Sequence, residues 1–437
     1  MKKGNAWALL PILVFVILYL TLGIVFEYVL DIPMGFYEVP IVVVFMVALF
    51  FACLQNRSLS FDKKLEVMGH GIGDKNVITM LLIFLLAGIF VGVVGRSSAE
   101  SVAYCLLSVV PPRFAVCVLF LVACFVSTAM GTSVGTITLL TPIAVAISTT
   151  SGFSLALCVG TVVGGAMFGD NLSFVSDTTI AACGGQGCAM RDKFKTNFAI
   201  VLPAALVTLG LILLLSLRAD IQPIVTKEYD LLQIVPYLLV LIGGIAGINV
   251  FFTLLVGILS GCVIMLATGA VEFTGLISGM GGGVSGMFET AMVAILVSAL
   301  CALIREAGGF EALLCGIRRV FRGKRAGQLG VGLLVGLMDV ATANNTVAIV
   351  MANPIASEMA SEYGISPQKT ASILDTFSCI FQGLLPYGAQ MLVALSAVGT
   401  MGYELSAFEV IANLFYPLML LASSLVFMFL VPERKKR

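Results

Sequence analysis

The run Gly169-Asp170-Asn171-Leu172-Ser173-Phe174-Val175-Ser176-Asp177-Thr178-Thr179 decides how this chain is read. It sets two carboxylates, an amide and four hydroxyls into a chain that is 59% hydrophobic and 11% charged. A soluble domain carries about 25% charged residues, so the surroundings of this run are built for lipid. An ionised carboxylate at bilayer depth is costly, and it persists where it pairs, faces a cavity or handles an ion or proton. Carboxylate, amide and hydroxyl oxygens are hard donors, a set suited to a small hard cation.

Outward from this run, apolar stretches of spanning length recur near 7–30, 37–54, 76–95, 195–218, 231–249, 250–269, 287–305 and 408–431. The expected class is an all-α polytopic membrane protein, a single membrane transporter domain over 1–437. Lys2 and Lys3 before the apolar run resemble a signal peptide, but the run from Trp7 to Phe26 is too long for one and is kept as the first span. Net charge is zero and the basic residues flank membrane segments, so nucleic acid is not an expected partner. The 11 cysteines are scattered through apolar helices, which favours buried free thiols over disulfides or a metal site.

Two apolar regions are interrupted by polar breaks. Region 113–182 breaks at Gly131-Thr132-Ser133-Val134-Gly135-Thr136 and again at 169–179. Region 326–390 breaks at Ala343-Asn344-Asn345-Thr346 and at Gly383-Leu384-Leu385-Pro386-Tyr387-Gly388. Irregular backbone at membrane depth is tolerated where protein or a water-filled cavity surrounds it. Sliding the chain on itself by 212 positions lays one region on the other without a gap. Thr141-Pro142-Ile143-Ala144 falls on Asn353-Pro354-Ile355-Ala356, Thr132-Ser133 on Asn344-Asn345, and Asp170 on Gln382.

Lysine and arginine set the expected orientation. Lys2, Lys3, then Arg57, Lys63, Lys64 and Lys75, then Arg191, Lys193 and Lys195, the cluster Arg318–Arg325 and the tail Arg434–Arg437 all read cytoplasmic. The loop with Glu27, Asp31 and Glu38 reads external. The first broken region then starts outside and the second inside, so the halves are expected upside down to each other. That is the plan of secondary transporters with discontinuous helices near the midplane. The expectation is two inverted repeats, about 7–218 and 229–431, with discontinuous helices, re-entrant segments and about 10–12 spans.

The candidate cation ligands are Asp170, Asn171, Ser173, Ser176, Asp177, Thr178, Asn344, Asn345, Thr346 and Asp375. Candidate substrate contacts are Thr132, Ser133, Thr136, Asp339 and Gln382. Competing readings were weighed at each break: glycine and hydroxyls at 131–136 also serve helix packing, and paired amides also bond helix to helix. A zinc reading fails because the run 169–179 itself has no His or Cys partners. Met167 occupies the first glycine of the Gly-x-Gly-Asp that an intramembrane aspartyl protease would show. His70, the single histidine, sits in a charged loop and reads as solvated, with titration near neutral pH as the alternative. Glu289, Glu358 and Glu362 read as interfacial or solvent-facing.

At the four breaks the chain resembles the NhaC-type Na+/H+ antiporters of the ion-transporter superfamily. The matching runs are Gly131–Thr136, Phe168–Thr179, Asn344–Thr346 and Phe381–Gln390. The chain has Val134 where the family usually has Trp, and Phe174 where it usually has Pro. The resemblance implies a bacterial inner-membrane exchanger with both termini cytoplasmic, acting on Na+ and H+ in the bilayer with no cofactor. It also implies related members that swap organic acids, malate for lactate. A homodimer is left open.

The expected mechanism is competition. Burial penalises the charged form of a carboxylate and a bound cation restores it, so Na+ and H+ would alternate at Asp170 and Asp177. Asp339 and Asp375 would complete the site or relay protons. The alternative is a Na+-coupled carboxylate exchanger in which Thr132, Ser133, Asn344 and Asn345 grip an organic anion. No Arg or Lys is read within the cores of the broken regions, so half-helix amides would serve the anion. A channel and an intramembrane enzyme are disfavoured: the breaks are asymmetric, and no nucleophile–base pair or nucleotide motif is present.

Overall fold

The computed structural model describes residues 4–30, 32, 39–55, 59–173, 176–219, 229–246 and 248–430. Lys2, Lys3, Asp31, Glu38, Arg57, Phe174 and the tail Arg434–Arg437 lie outside the described residues, as does the side chain of Glu27. The orientation expected from them is neither supported nor opposed by the structure.

Among the described residues the chain is helical with no strand. The first half holds α1 (Leu10–Ile24), α2 (Ile41–Gln55), α3 (Phe61–Ile72), α4 (Lys75–Val109), α5 (Ala115–Met130), α6 (Ser133–Ser151), α7 (Leu155–Leu172), α8 (Asp177–Gln186) and α9 (Met190–Arg218). The second half holds α10 (Leu231–Ile245), α11 (Val250–Ala267), α12 (Phe273–Gly286), α13 (Phe288–Glu306), α14 (Gly309–Val320), α15 (Lys324–Thr342), α16 (Asn345–Tyr363), α17 (Pro367–Leu384), α18 (Ala389–Thr400), α19 (Ala407–Ala412) and α20 (Phe415–Leu430). Eight helical stretches are long and apolar enough to cross a membrane, or nine if the pair bent by 114° at 109–112 is one span. Three more apolar helices, at 41–55, 231–243 and 415–430, are shorter.

The elements repeat with the offset read from the sequence. α3, α6, α7 and α8 begin 212 residues before α12, α16, α17 and α18. Glycines show how each set packs. Gly165 of α7 lies against Phe120 and Ala123, and one turn on, Gly169 lies against Ser127 and Thr128, so α5 runs parallel to α7. α6 turns into α7 at Gly152 (φ 78), and so short a connection makes antiparallel neighbours. α5 and α6 therefore form a helical hairpin with its tip at Gly131–Thr132. In the second half Gly327 meets Tyr363 and Gly330 meets Met359, which makes α15 and α16 a hairpin tipped by Ala343–Asn344. Gly332 and Gly336 of α15 meet Phe377 and Phe381 of α17. Each close approach keeps one glycine, but the helix supplying it is exchanged between halves. A small residue is what lets two backbones come together at membrane depth.

α7 and α17 cross antiparallel at the centre. Asn171 Nδ2 donates to Cys379 Sγ at 3.0 Å, and Gly383 packs on Met167. The 212-residue offset carries Met167 onto Cys379 and Asn171 onto Gly383, so it exchanges the two contacts. Self-exchanging contacts are those of a twofold relation.

Candidate functional site

Both central helices stop short. α7 ends at Leu172 and α8 starts at Asp177; α17 ends at Leu384 and α18 starts at Ala389. The hairpin tips meet these breaks. Gly131 takes φ 69 at one tip and Ala343 takes φ 48 at the other, the one non-glycine with positive φ among the described residues. Each tip is closed by a cap. Thr132 Oγ1 accepts from Gly135 N–H at 3.4 Å, and Asn344 Oδ1 accepts from Val347 N–H at 3.0 Å. The first residues of α6, α8, α16 and α18 (Ser133, Asp177, Asn345 and Ala389) all line one cavity of about 80 Å³. Helix N-termini carry partial positive charge, so four of them converge on the carboxylates there.

Asp170 is the anionic centre. It is 5% exposed. Ser133 Oγ donates to its Oδ2 at 3.0 Å and Ser176 Oγ to its Oδ1 at 2.5 Å. Ser133 accepts from Gln390 Nε2 at 2.7 Å, and the Ser176 and Thr178 hydroxyls lie 2.7 Å apart. The two sides of Asp170 are thus held by a hairpin tip and by the far side of its own break. Thr132, Asn344, Asn345, Thr346 and Gln382 also line the cavity. Asp177 lines it from an exposed position. At about 30 Å³ per water, the volume suits a small cation with a water or two. The donor set is one buried carboxylate, one exposed carboxylate and neutral oxygens, a low charge count that suits a monovalent cation better than a divalent one.

The other sequence candidates stand elsewhere. Thr136 Oγ1 turns back to Thr132 O at 2.9 Å. Asn171 Nδ2 is used within α7 and on Cys379, and Ser173 is buried behind the break. Asp339 is wholly buried on α15, with neither oxygen hydrogen-bonded to a side chain.

Asp375 does not line the cavity; it is paired. Lys193 Nζ of α9 lies 2.7 Å from Asp375 Oδ2, and Asn197 Nδ2 donates to the same oxygen at 2.6 Å. The remaining donors of Lys193 reach Thr179 Oγ1 at 2.7 Å and the Asn171 carbonyl at 3.2 Å. Asn197 Nδ2 also meets that carbonyl, at 2.9 Å, and Ser372 Oγ donates to Asn197 Oδ1. The carbonyl freed by the break in α7 is therefore held by two donors from α9. This corrects the reading of Lys193 as a membrane-flanking charge: it stands on α9, outside 113–182, and reaches the break in α7 from there. Lys193, Asn197 and Gln390 are the polar residues that the sequence reading passed over. Lys193 and Asn197 did leave a signal: they are four apart on a helix whose Ile200, Val201 and Ala204 continue the same buried face.

A larger cavity of about 360 Å³ shares Asn344 and Ala389 with the site and extends past Cys301 to His70, Asp74 and Arg305.

Broken central helices, paired hairpins and a buried carboxylate within an apolar helical body define a polytopic membrane protein of transporter type. The Na+/H+ antiporter family model matches twice, over residues 5–217 and 216–431. The chain belongs to that family, and its relatives are of the NhaC type. It is 24% identical to the Na+/H+ antiporter NhaC of Bacillus subtilis (strain 168), over 75% of this chain and 80% of that one. It is 27% identical to the malate-2H+/Na+-lactate antiporter of the same organism, over 40% of this chain and 37% of that protein. Among solved structures, the Alcanivorax borkumensis YdaH transporter aligns over 97% of this chain and 96% of its own, at 13% identity and a TM-score of 0.42.

Proposed function

We propose that the chain exchanges Na+ for H+ at Asp170 in a bacterial inner membrane, with both termini cytoplasmic. The observation that carries this is the placement of Asp170, buried where both hairpin tips and both broken helices meet. Ser133 and Ser176 donate to it. A hydroxyl is donor and acceptor at once, so both can turn their lone pairs to Na+ while the carboxylate supplies the charge. A proton at Asp170 removes that charge, and the two cations exclude each other. Asp177 stands at the open side, and Asn344, Asn345 and Thr346 offer neutral oxygens from the second hairpin. The wider cavity past Asn344 is the approach from the His70 end. The antiparallel crossing of α7 and α17 supports inverted halves, with one hairpin and its broken helix moving against the other to give alternating access.

One feature favours a second reading, a Na+- and H+-coupled organic acid exchanger. Four helix N-termini and the amides of Asn344 and Asn345 face the cavity, and such ends bind carboxylates. A relative named for malate and lactate covers part of the chain.

Purified protein in liposomes separates the two. With a Na+ gradient imposed, internal pH should change with no organic solute present, and Asp170→Asn should lower that flux at least ten-fold. Flux that appears only when malate or lactate is added supports the second reading. Full activity in Asp170→Asn removes the site.

A further inference from the structure

Among the described residues, Asp339 is the one buried carboxylate with neither oxygen hydrogen-bonded to a side chain, and this scheme leaves it unused. It lies at 0% exposure on α15, one turn before the tip of the second hairpin, and its own carbonyl accepts from Ala343 N–H at 2.7 Å. Neither carboxylate oxygen makes a side-chain hydrogen bond or a bond of good geometry, the Gln382 backbone N–H being a weak donor nearby, and no salt bridge reaches it among the described residues. No cation of the helices packed on α15 is ion-paired with it among the described residues: Arg305 of α13 lines the wider cavity with His70 and Glu306, and Lys369 of α17 stands 5.2 Å over the Phe427 ring. Tyr387 gives its hydroxyl proton to the Val340 carbonyl at 2.8 Å. Cys301 of α13 points its thiol at the Ala341 carbonyl at 3.0 Å. Besides Lys369 near its start, α17 brings Cys379, Gln382 and Asp375, which is already paired with Lys193. Glu358 and Glu362 of α16 sit at the base of the hairpin with Arg318 of α14, and the described part of α20 has Tyr416 as its single ionisable side chain.

An ionised carboxylate in an apolar interior with no strong donor and no counter-charge is not sustained; the group takes a proton instead. Gln382, on the helix packed against α15, has an Oε1 that also lacks a partner. A protonated carboxyl is the kind of donor such an oxygen lacks. The hairpin tip next to Asp339 is built on Ala343 in left-handed backbone, a conformation that a non-glycine residue holds under strain. We propose that Asp339 is a second proton site, separate from Asp170, occupied in this conformation and emptied when the tip at Ala343–Asn344 shifts. Each turnover then moves one proton beyond those that compete with Na+. This rests on the exchange reading of Asp170.

Infrared difference spectra of the full chain in lipid test the site without any transport. The wild type should show a protonated carboxyl stretch at neutral pH that is lost in Asp339→Asn, kept in Asp170→Asn, and shifted in Asp339→Glu. Identical spectra for wild type and the Asp339 variants would overturn the proposal. Reversal potentials in liposomes then give the H+ to Na+ ratio. Asp339→Asn should lower it by one proton per Na+, whereas a slower rate at an unchanged ratio would mark a structural role and overturn the proposal. A carboxyl band that follows Asp339 in a protein showing no Na+-driven flux supports the site and removes the exchange reading alone.

Discussion

At the scale of single residues, the site rests on which buried charges have partners. Asp375 has two, Lys193 and Asn197, and the pair is 1% and 2% exposed. Removing one member of such a pair leaves an uncompensated buried charge at a cost of about 3–5 kcal/mol, while replacing both with apolar groups is often neutral. Lys193→Met should therefore lower the thermal midpoint in detergent sharply, and Lys193→Met with Asp375→Leu should recover most of it. A single variant as stable as wild type would mean the pair does not form. Asp170 was legible from sequence because a carboxylate in an apolar run has few innocent explanations. Lys193 was not, because Arg191 and Lys195 on either side made it look like one charge in a solvated run. On a helix, residues two apart point to different faces, and Lys193 alone of the three is buried.

At the scale of elements, the tip of the second hairpin is the part under strain. Gly131 adopts its left-handed backbone without steric penalty, whereas the equivalent Ala343 pays about 1–2 kcal/mol for the same conformation. Ala343→Gly should raise the thermal midpoint, by relief of about 1 kcal/mol, and an unchanged or lowered midpoint would show the tip to be relaxed. The polar breaks themselves were legible, since each sets hydroxyls or amides into an apolar run, three of them with glycine or proline beside them. The hairpins they terminate were less so. Their packing on α7 and α17 depends on Gly165 meeting Phe120 and Gly332 meeting Phe377, contacts between residues 45 apart in sequence whose letters are swapped between the halves. That swap is also why identity across the repeat is low while the geometry is kept. Span lengths were overread at 37–54, 231–249 and 408–431, where the apolar helices run 41–55, 231–243 and 415–430.

At the scale of the whole molecule, each half holds the other. Gln186 of α8 donates to Asn353 Oδ1 on the second hairpin at 2.9 Å, and Asn353 donates to the Ala181 carbonyl at 2.8 Å. Gln390 of α18 reaches Ser133 on the first hairpin in the same manner. On the alternating-access proposal, movement between the halves would pass through these joints. A Cβ at Gly185 would fall 2.1 Å from Asn353 Cγ, so the two positions face each other across the joint, and replacing both removes the amide that fills the space. Gly185→Cys with Asn353→Cys should lose exchange on oxidation and regain it on reduction. Undiminished exchange in a verified cross-link would exclude relative motion at this joint.

The most direct measurement of the central claim needs no membrane potential and no gradient. Na+ added to the purified, weakly buffered protein should displace protons into solution, and a pH indicator reads that release. If Na+ and H+ compete for Asp170, the wild type releases protons with a saturable dependence on Na+, and Asp170→Asn loses the release at that site. Proton release from Asp170→Asn equal to that of the wild type would contradict the competition and place the exchange elsewhere in the molecule.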